Sequence, residues 1–170
     1  MSEKLELLLN QIELEKEYYS FFEGGQLLKI VGNKAKDTYV FFLKLNSNID
    51  INLYSHFLEL LKNKYSNFSV SIVIEVENIN SEYVNDYYKY FIGLYSQESS
   101  LLQMFMNSTF KLNDNELIIE VSNLAEKMKF DSIKIKLEKD LSSCGFDFKI
   151  SSYVDSDKGL ETVEEINKEL

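Results

Sequence analysis

The sequence predicts an α+β fold made of two tandem, similar small units. Each unit is a three-stranded sheet with helices packed on one face. Three observations carry this. Two stretches of about eighty residues, 3–77 and 82–154, run through the same order of helix, helix, strand, strand, helix, strand. Within each, the apolar spacing switches between the three-to-four residue period of a helix and the two-residue period of a strand. Proline is absent, so no element has to be broken by one. The expected division is 1–79 for the first unit, 80–154 for the second and 155–170 for an acidic helical tail or linker.

The first helix places Leu5, Leu8, Leu9 and Ile12 on one side, with Ser2 available to cap it. Leu14, Tyr18, Phe21 and Phe22 give a second helix its stripe, and Gly24-Gly25 ends it. Gln26 to Val31 and Thr38 to Leu45 read as a strand pair around the polar turn Gly32–Asp37, with Tyr39, Phe41, Leu43 and Leu45 on one face. Asp50 caps a third helix that aligns Leu53, Phe57, Leu60 and Leu61. The third strand has the cleanest signal: Phe68, Val70, Ile72, Ile74 and Val76 alternate with Ser69, Ser71, Val73, Glu75 and Glu77. One face of it is buried and the other mostly wet.

The second copy opens at Ser81 with a broad stripe of Val84, Tyr87, Tyr88, Phe91, Leu94 and Tyr95. A shorter helix carries Leu101, Leu102, Met104 and Phe105. Phe110 and Leu112 lead through the turn Asn113-Asp114-Asn115 into Leu117, Ile119 and Val121. The next helix lines up Leu124, Met128, Ile133, Leu137 and Leu141, with a bend expected near Asp131 and a stop at Cys144-Gly145. Phe146, Phe148 and Ile150 begin the last strand. Beyond Val154, Leu160, Val163, Ile166 and Leu170 fall on one side of a short acidic helix. The apolar pattern is cut at Leu170, as expected of a fragment.

Composition narrows the function classes. Hydrophobic residues make up 45% of the chain, enough for a buried core. The net charge of −10 repels phosphates and argues against broad binding of nucleic acid or anionic membranes. Cys144 is the single cysteine, which rules out an internal disulfide and suits a reducing, cytoplasmic setting. The opening residues carry acids where a secretory leader needs bases, and no run reaches the ~18 apolar residues of a membrane span.

Candidate chemistry is sparse. His56 has Asn52, Leu53, Glu59 and Leu60 at the spacings where helical metal partners would stand, so it reads as a structural histidine. Cys144 sits at a helix carboxyl end, where the dipole disfavours a thiolate, and reads as a small hydrophobe. The glutamates at 13, 15 and 17 and those of the tail lack the Asp/Asn spacing and central glycine of a calcium loop. No pair among the six glycines has the spacing of a GXXG backbone clamp. No catalytic residue, metal ligand or cofactor-binding residue is therefore expected. Lysines 29, 34 and 36 form a small basic patch, and Lys127, Lys129, Lys134, Lys136 and Lys139 form a second. Of these, Lys127, Lys134 and Lys136 are the candidates for a nucleic-acid contact. Tyr83 and Tyr90 stand off the main stripe of a tyrosine-rich helix. They are the candidate protein-interface anchors, since aromatics bury large area at low rotamer cost.

Several of these residues also carry a family resemblance. Leu8-Leu9-Asn10-Gln11-Ile12, Phe21-Phe22-Glu23-Gly24-Gly25 running into the next strand, and Tyr39-Val40-Phe41-Phe42 resemble the N-terminal region of PolC-type DNA polymerase III. Ile74-Glu75-Val76 and Cys144-Gly145-Phe146-Asp147 are similar to the same region. The resemblance implies small units like those of KH-related modules, including the end of the clamp-loader tau subunit and the start of the replication initiator. It also implies a parent that is a DNA-directed DNA polymerase (a nucleotidyltransferase) with 3′–5′ exonuclease activity and reaches DNA through its other domains. The region itself is implied to be non-catalytic and without cofactor. Its expected role is to dock another replisome protein, such as the tau subunit or a primosome component, with no membrane involved. The alternatives are a nucleic-acid-guiding module using the Lys127–Lys139 helix and a plain spacer.

Overall fold

The computed structural model describes residues 1–155, so the tail from residue 156 lies outside the described residues. Two compact units emerge. The first is Met1–Tyr87 with Ser142–Phe146, and the second is Tyr88–Leu141 with the chain from Asp147.

In the first unit, α1 spans Glu3–Gln11, and Ser2 Oγ accepts from the Leu5 N–H at 3.2 Å, as its sequence position predicts. Leu5, Leu8 and Leu9 point inward. The second helix takes a different form from the expected one: Lys16–Phe22 is a 3₁₀ segment. The chain leaves α1 through Glu13, whose φ is 61°, so the helical phase that grouped Leu14 with Tyr18 and Phe21 is lost. Phe22 is fully buried, while its neighbour Phe21 is 53% exposed. Two adjacent aromatics on so tight a helix cannot face the same way.

Strand β1 (Gln26–Asn33) pairs antiparallel with β2 (Thr38–Ser47), with a bulge between Leu27 and Lys29. Asn33 Oδ1 accepts from the Ala35 and Lys36 N–H groups and folds the turn. Helix α2 (Ile51–Lys64) starts on Asp50, whose carboxylate accepts from the Asn52 and Leu53 N–H groups. It then leads to β3 (Ser69–Asn78), which lies parallel to β2. The sheet order is β1-β2-β3. Parallel neighbours need a crossover, and α2 supplies it. The expected alternation holds: Val70, Ile72 and Ile74 are buried with Phe41, Leu43 and Leu45. Helices close over this face, with the Phe22 and Phe57 rings 5.5 Å apart.

The edge of this core is tied by Asn48, one of the few buried polar side chains. Its Nδ2 donates to the Cys144 carbonyl at 2.9 Å, and its Oδ1 accepts from the Asn80 N–H at 2.8 Å. Beside it the buried Tyr87 hydroxyl donates to the Ile49 carbonyl at 2.7 Å. Gly145 has φ +91°, and a Cβ there would sit 2.7 Å from Val76 Cγ1. Glycine is needed at that position for both conformation and space.

The second unit repeats the plan. Helix α3 (Val84–Glu98) and a 3₁₀ segment (Ser100–Phe105) precede β4 (Phe110–Asn113) and β5 (Glu116–Val121). Helices α4 (Leu124–Asp131) and α5 (Lys134–Ser143) lead to β6 (Lys149–Val154), parallel to β5. The order β4-β5-β6 mirrors the first sheet, antiparallel and then parallel. Tyr88 donates to the Phe105 carbonyl at 2.7 Å, and burial pushes its hydroxyl up to about 12. The bend falls at Asp131, as predicted. Its consequence for burial was not predicted. Leu137 and Leu141 face the core, but α4 presents Phe130 inward and leaves Leu124 and Met128 at 70% and 75% exposure. The break at Ser132-Ile133 resets the angular phase, so one stripe cannot run through both helices.

Asn48 gives a direct test of the first unit. Asn48→Ala orphans the Cys144 carbonyl and the Asn80 N–H, and each such group costs about 1–3 kcal/mol. Urea unfolding should show stability lowered by about 2 kcal/mol or more, with an unchanged denaturant slope.

Candidate functional site

A concavity lies in the first unit. It is a cleft of about 740 Å³ lined by Met1, Ser20, Phe21, Glu23, Gly24, Asn46, Ser47, Asn48, Asn80 and Tyr83. Four parts of the chain meet there: Met1, the end of the 3₁₀ segment, the end of β2 and the link from β3 into α3. Asn46 Nδ2 donates to the Glu23 carbonyl at 3.1 Å and fastens the second to the third. Gly24 permits this closeness. Its φ is +74°, and a Cβ would fall 2.3 Å from Asn46 Nδ2. Asn48 supplies the floor and is fully engaged by the bonds described above.

The lining is mostly polar and uncharged. Amides, hydroxyls and backbone groups predominate, and Glu23 is the one carboxylate among the lining side chains. The exposed ring of Phe21 adds a flat apolar surface at the rim.

The residues singled out in the sequence are distributed as follows. Tyr83 is half-buried and lines the cleft. Tyr90 is half-buried in the second unit, its ring 5.2 Å from that of Phe91. No site within either unit holds both tyrosines. Lys127 turns toward its own unit, its Nζ donating to the Ser152 carbonyl at 2.9 Å, to Ser152 Oγ at 3.0 Å and to Asp131 at 3.3 Å. Lys134 Nζ stands 3.8 Å from Asp131, and Lys136 Nζ lies 4.7 Å from the Tyr95 ring centroid. Burial alone would raise the Asp131 carboxyl. The hydrogen bonds from Ser152 and Lys127 and the charges of Lys127 and Lys134 outweigh that and hold it below the usual carboxylate range.

His56 Nε2 lies 2.7 Å from Glu15 Oε2, and that hydrogen bond holds the Glu15 carboxyl below its ordinary value. Cys144 is buried. Among the described residues, no group of three or more His, Cys, Asp or Glu side chains is placed to hold a metal ion. No helix of the described residues is long and apolar enough to cross a membrane. Sequence reasoning missed Phe21 as a surface residue. The signal was present, since a Phe-Phe pair forces one ring outward unless a wall stands on each side.

Residues 4–76 fit the family model described as DNA polymerase III polC-type N-terminus I. This stretch covers α1 through most of β3 and so most of the first unit. No curated protein and no solved structure matches the chain.

The Asp131 cluster predicts an acid-sensitive second unit. A carboxyl held low in the folded state stabilises above its unfolded value, ~3.9, and that contribution is lost as pH falls through the folded value. Urea titrations at a series of acidic pH values should show Asp131→Asn flattening the acid-side loss of stability. An unaltered pH profile in the variant would contradict the assignment.

Proposed function

We propose, from the match of residues 4–76 to the family model described as DNA polymerase III polC-type N-terminus I, that the chain is a non-catalytic docking region of a replicative DNA polymerase. It acts in the cytoplasm, in chromosomal replication, by binding another replisome protein. The clamp-loader tau subunit and a primosome component are the partners of choice. The polymerase reaches DNA through its other domains. The observation that carries this reading is the cleft in the family-matched unit. It is roomy, lined by neutral polar groups, rimmed by the outward Phe21 and Tyr83, and poor in ionisable side chains.

Interfaces place aromatic anchors among polar groups that orient the partner. The buried face of β2 and β3 is already covered by the unit's own helices, which leaves the cleft and its rim, beside the exposed Leu28, Ile30 and Val31 of β1, for recognition. The acidic charge of the chain favours a basic partner surface and speeds its encounter. Strand guidance by the Lys127–Lys139 helices draws less support, because Lys127, Lys134 and Lys136 are each engaged within the second unit.

Calorimetric titration of the chain with purified tau subunit and, separately, with primosome proteins tests the reading. One of them should bind, and Phe21→Ala or Tyr83→Ala should weaken it by about tenfold or more. Phe21→Ala should leave thermal stability within about 0.5 kcal/mol of the parent, as for other exposed positions. Absence of protein binding, with single-stranded DNA bound instead and lost steeply as salt rises, would overturn docking.

A further inference from the structure

Strand β1 is the outer strand of its sheet and, among the described residues, pairs with β2 alone. Alternate residues of an outer strand aim their backbone N–H and C=O groups away from the sheet, a template for another strand. Chains blunt such an edge by keeping it short or by charging it. Strand β4, outermost in the second sheet, has four residues, and β3 sets Ser69, Ser71, Glu75 and Glu77 at exposed positions. Strand β1 has eight residues and uses neither device. Its Leu28, Ile30 and Val31 are 46%, 46% and 45% exposed. Lys29, the one charged residue in the strand, carries its Nζ 4.6 Å from the Phe42 ring centroid and so lies over β2 rather than beyond the edge.

The bulge at Leu28 interrupts the ladder, and from Lys29 to Asn33 the pairing with Phe42 to Thr38 is unbroken. Within that run Ile30 stands opposite Phe41 and Val31 opposite Val40, so an exposed apolar side chain marks each face of the sheet at its edge. The charge of this hairpin runs against that of the chain. Net charge is −10 overall, yet residues 26–49 hold four lysines and one carboxylate, Asp37. Lys34 and Lys36 are exposed at the hairpin tip. Neither side chain makes an ion pair or a hydrogen bond among the described residues.

We propose that the Lys29–Asn33 edge of β1 is a strand-addition site, separate from the cleft, and that it takes an extended acidic segment of a partner protein as a fourth strand. The outward backbone groups specify an extended peptide, because another strand returns a donor or acceptor to each of them in register. One apolar side chain of the incoming strand covers Ile30 on the first face, and the next covers Val31 on the other. Its carboxylates meet Lys34 and Lys36 at the hairpin tip. Other occupants match fewer of these features. A nucleic-acid strand would meet the lysines but leave the backbone edge unpaired, and so would an amphipathic helix. A second copy of the chain would set a like cationic hairpin, and a like net charge, against this one.

The test uses the 170-residue chain and a synthetic peptide with a valine and isoleucine core and a pair of glutamates at each end. One control keeps the side chains but is N-methylated along the core backbone, and the other has lysine for every glutamate. Backbone amide shifts of the chain are followed by NMR. The glutamate peptide should shift the amides of residues 28–34 and slow their hydrogen exchange. Each control should bind about tenfold more weakly or worse. Lys34→Glu combined with Lys36→Glu should weaken the glutamate peptide by a similar factor while leaving the melting temperature unchanged, since both positions are exposed. The proposal fails if the glutamate peptide leaves these amides unshifted, or if either control binds as well as it does. It also fails if oligothymidylate shifts them instead, or if the chain sediments as a dimer that Val31→Glu dissociates. Faster exchange of the same amides on deleting residues 156–170 would assign the edge to the chain's own last residues and overturn the partner.

Discussion

A three-stranded sheet can be sealed on only one face by a chain this short, and the parallel pairing of β2 with β3 decides which. Parallel neighbours cannot be joined by a tight turn, so the chain must cross over, and α2 crosses on the side of Phe41, Leu43, Leu45, Val70, Ile72 and Ile74. Those residues occupy alternate positions, so a one-residue slip in register would turn the whole set to solvent. The second unit obeys the same constraint, with α4 and α5 joining β5 to β6.

From this constraint follows where recognition is possible. The apolar face is consumed by the unit's own helices, and the strand ends must turn somewhere. In the first unit they turn around Asn48, whose two bonds tie the segment after β2 to the segment after β3 and to the Cys144 carbonyl, and the cleft opens between these and the 3₁₀ segment. An apolar residue at position 48 could not hold those segments by directional bonds. A charged one would carry a desolvation cost with no counterion at hand. The cleft is therefore a by-product of how the sheet is closed, furnished with the amides and hydroxyls that loops bring.

Much of the plan was legible in the chain. The alternation at 70–76, the caps at Ser2 and Asp50, the bend at Asp131 and the stop at Gly145 each rest on local chemistry, and local chemistry is what a sequence displays. The failures were of phase and of partnership. Leu124 and Met128 share a spacing with Leu137 and Leu141, yet the break at Ser132-Ile133 rotates them outward and turns Phe130 in. Lys16–Phe22 tightened into a 3₁₀ segment because Glu13 redirected the chain, and a positive φ at glutamate has no signature in composition. Asn48 was invisible because its partners, Asn80 and Cys144, are distant in sequence. For the candidate site, Tyr83 was legible as an aromatic off its stripe, whereas the cleft it lines depends on those distant bonds.

Native-state hydrogen exchange across the first unit tests the closure of the sheet face most directly. If α2 seals that face permanently, amides of α2, β2 and β3 open only with global unfolding and share one free energy. The segments around the cleft, 20–24, 46–48 and 78–83, then exchange through smaller local openings. Exchange of α2 by a separate, low-energy opening, with β2 and β3 still protected, would mean that the apolar face is available to a partner. The cleft would then lose its place in this account.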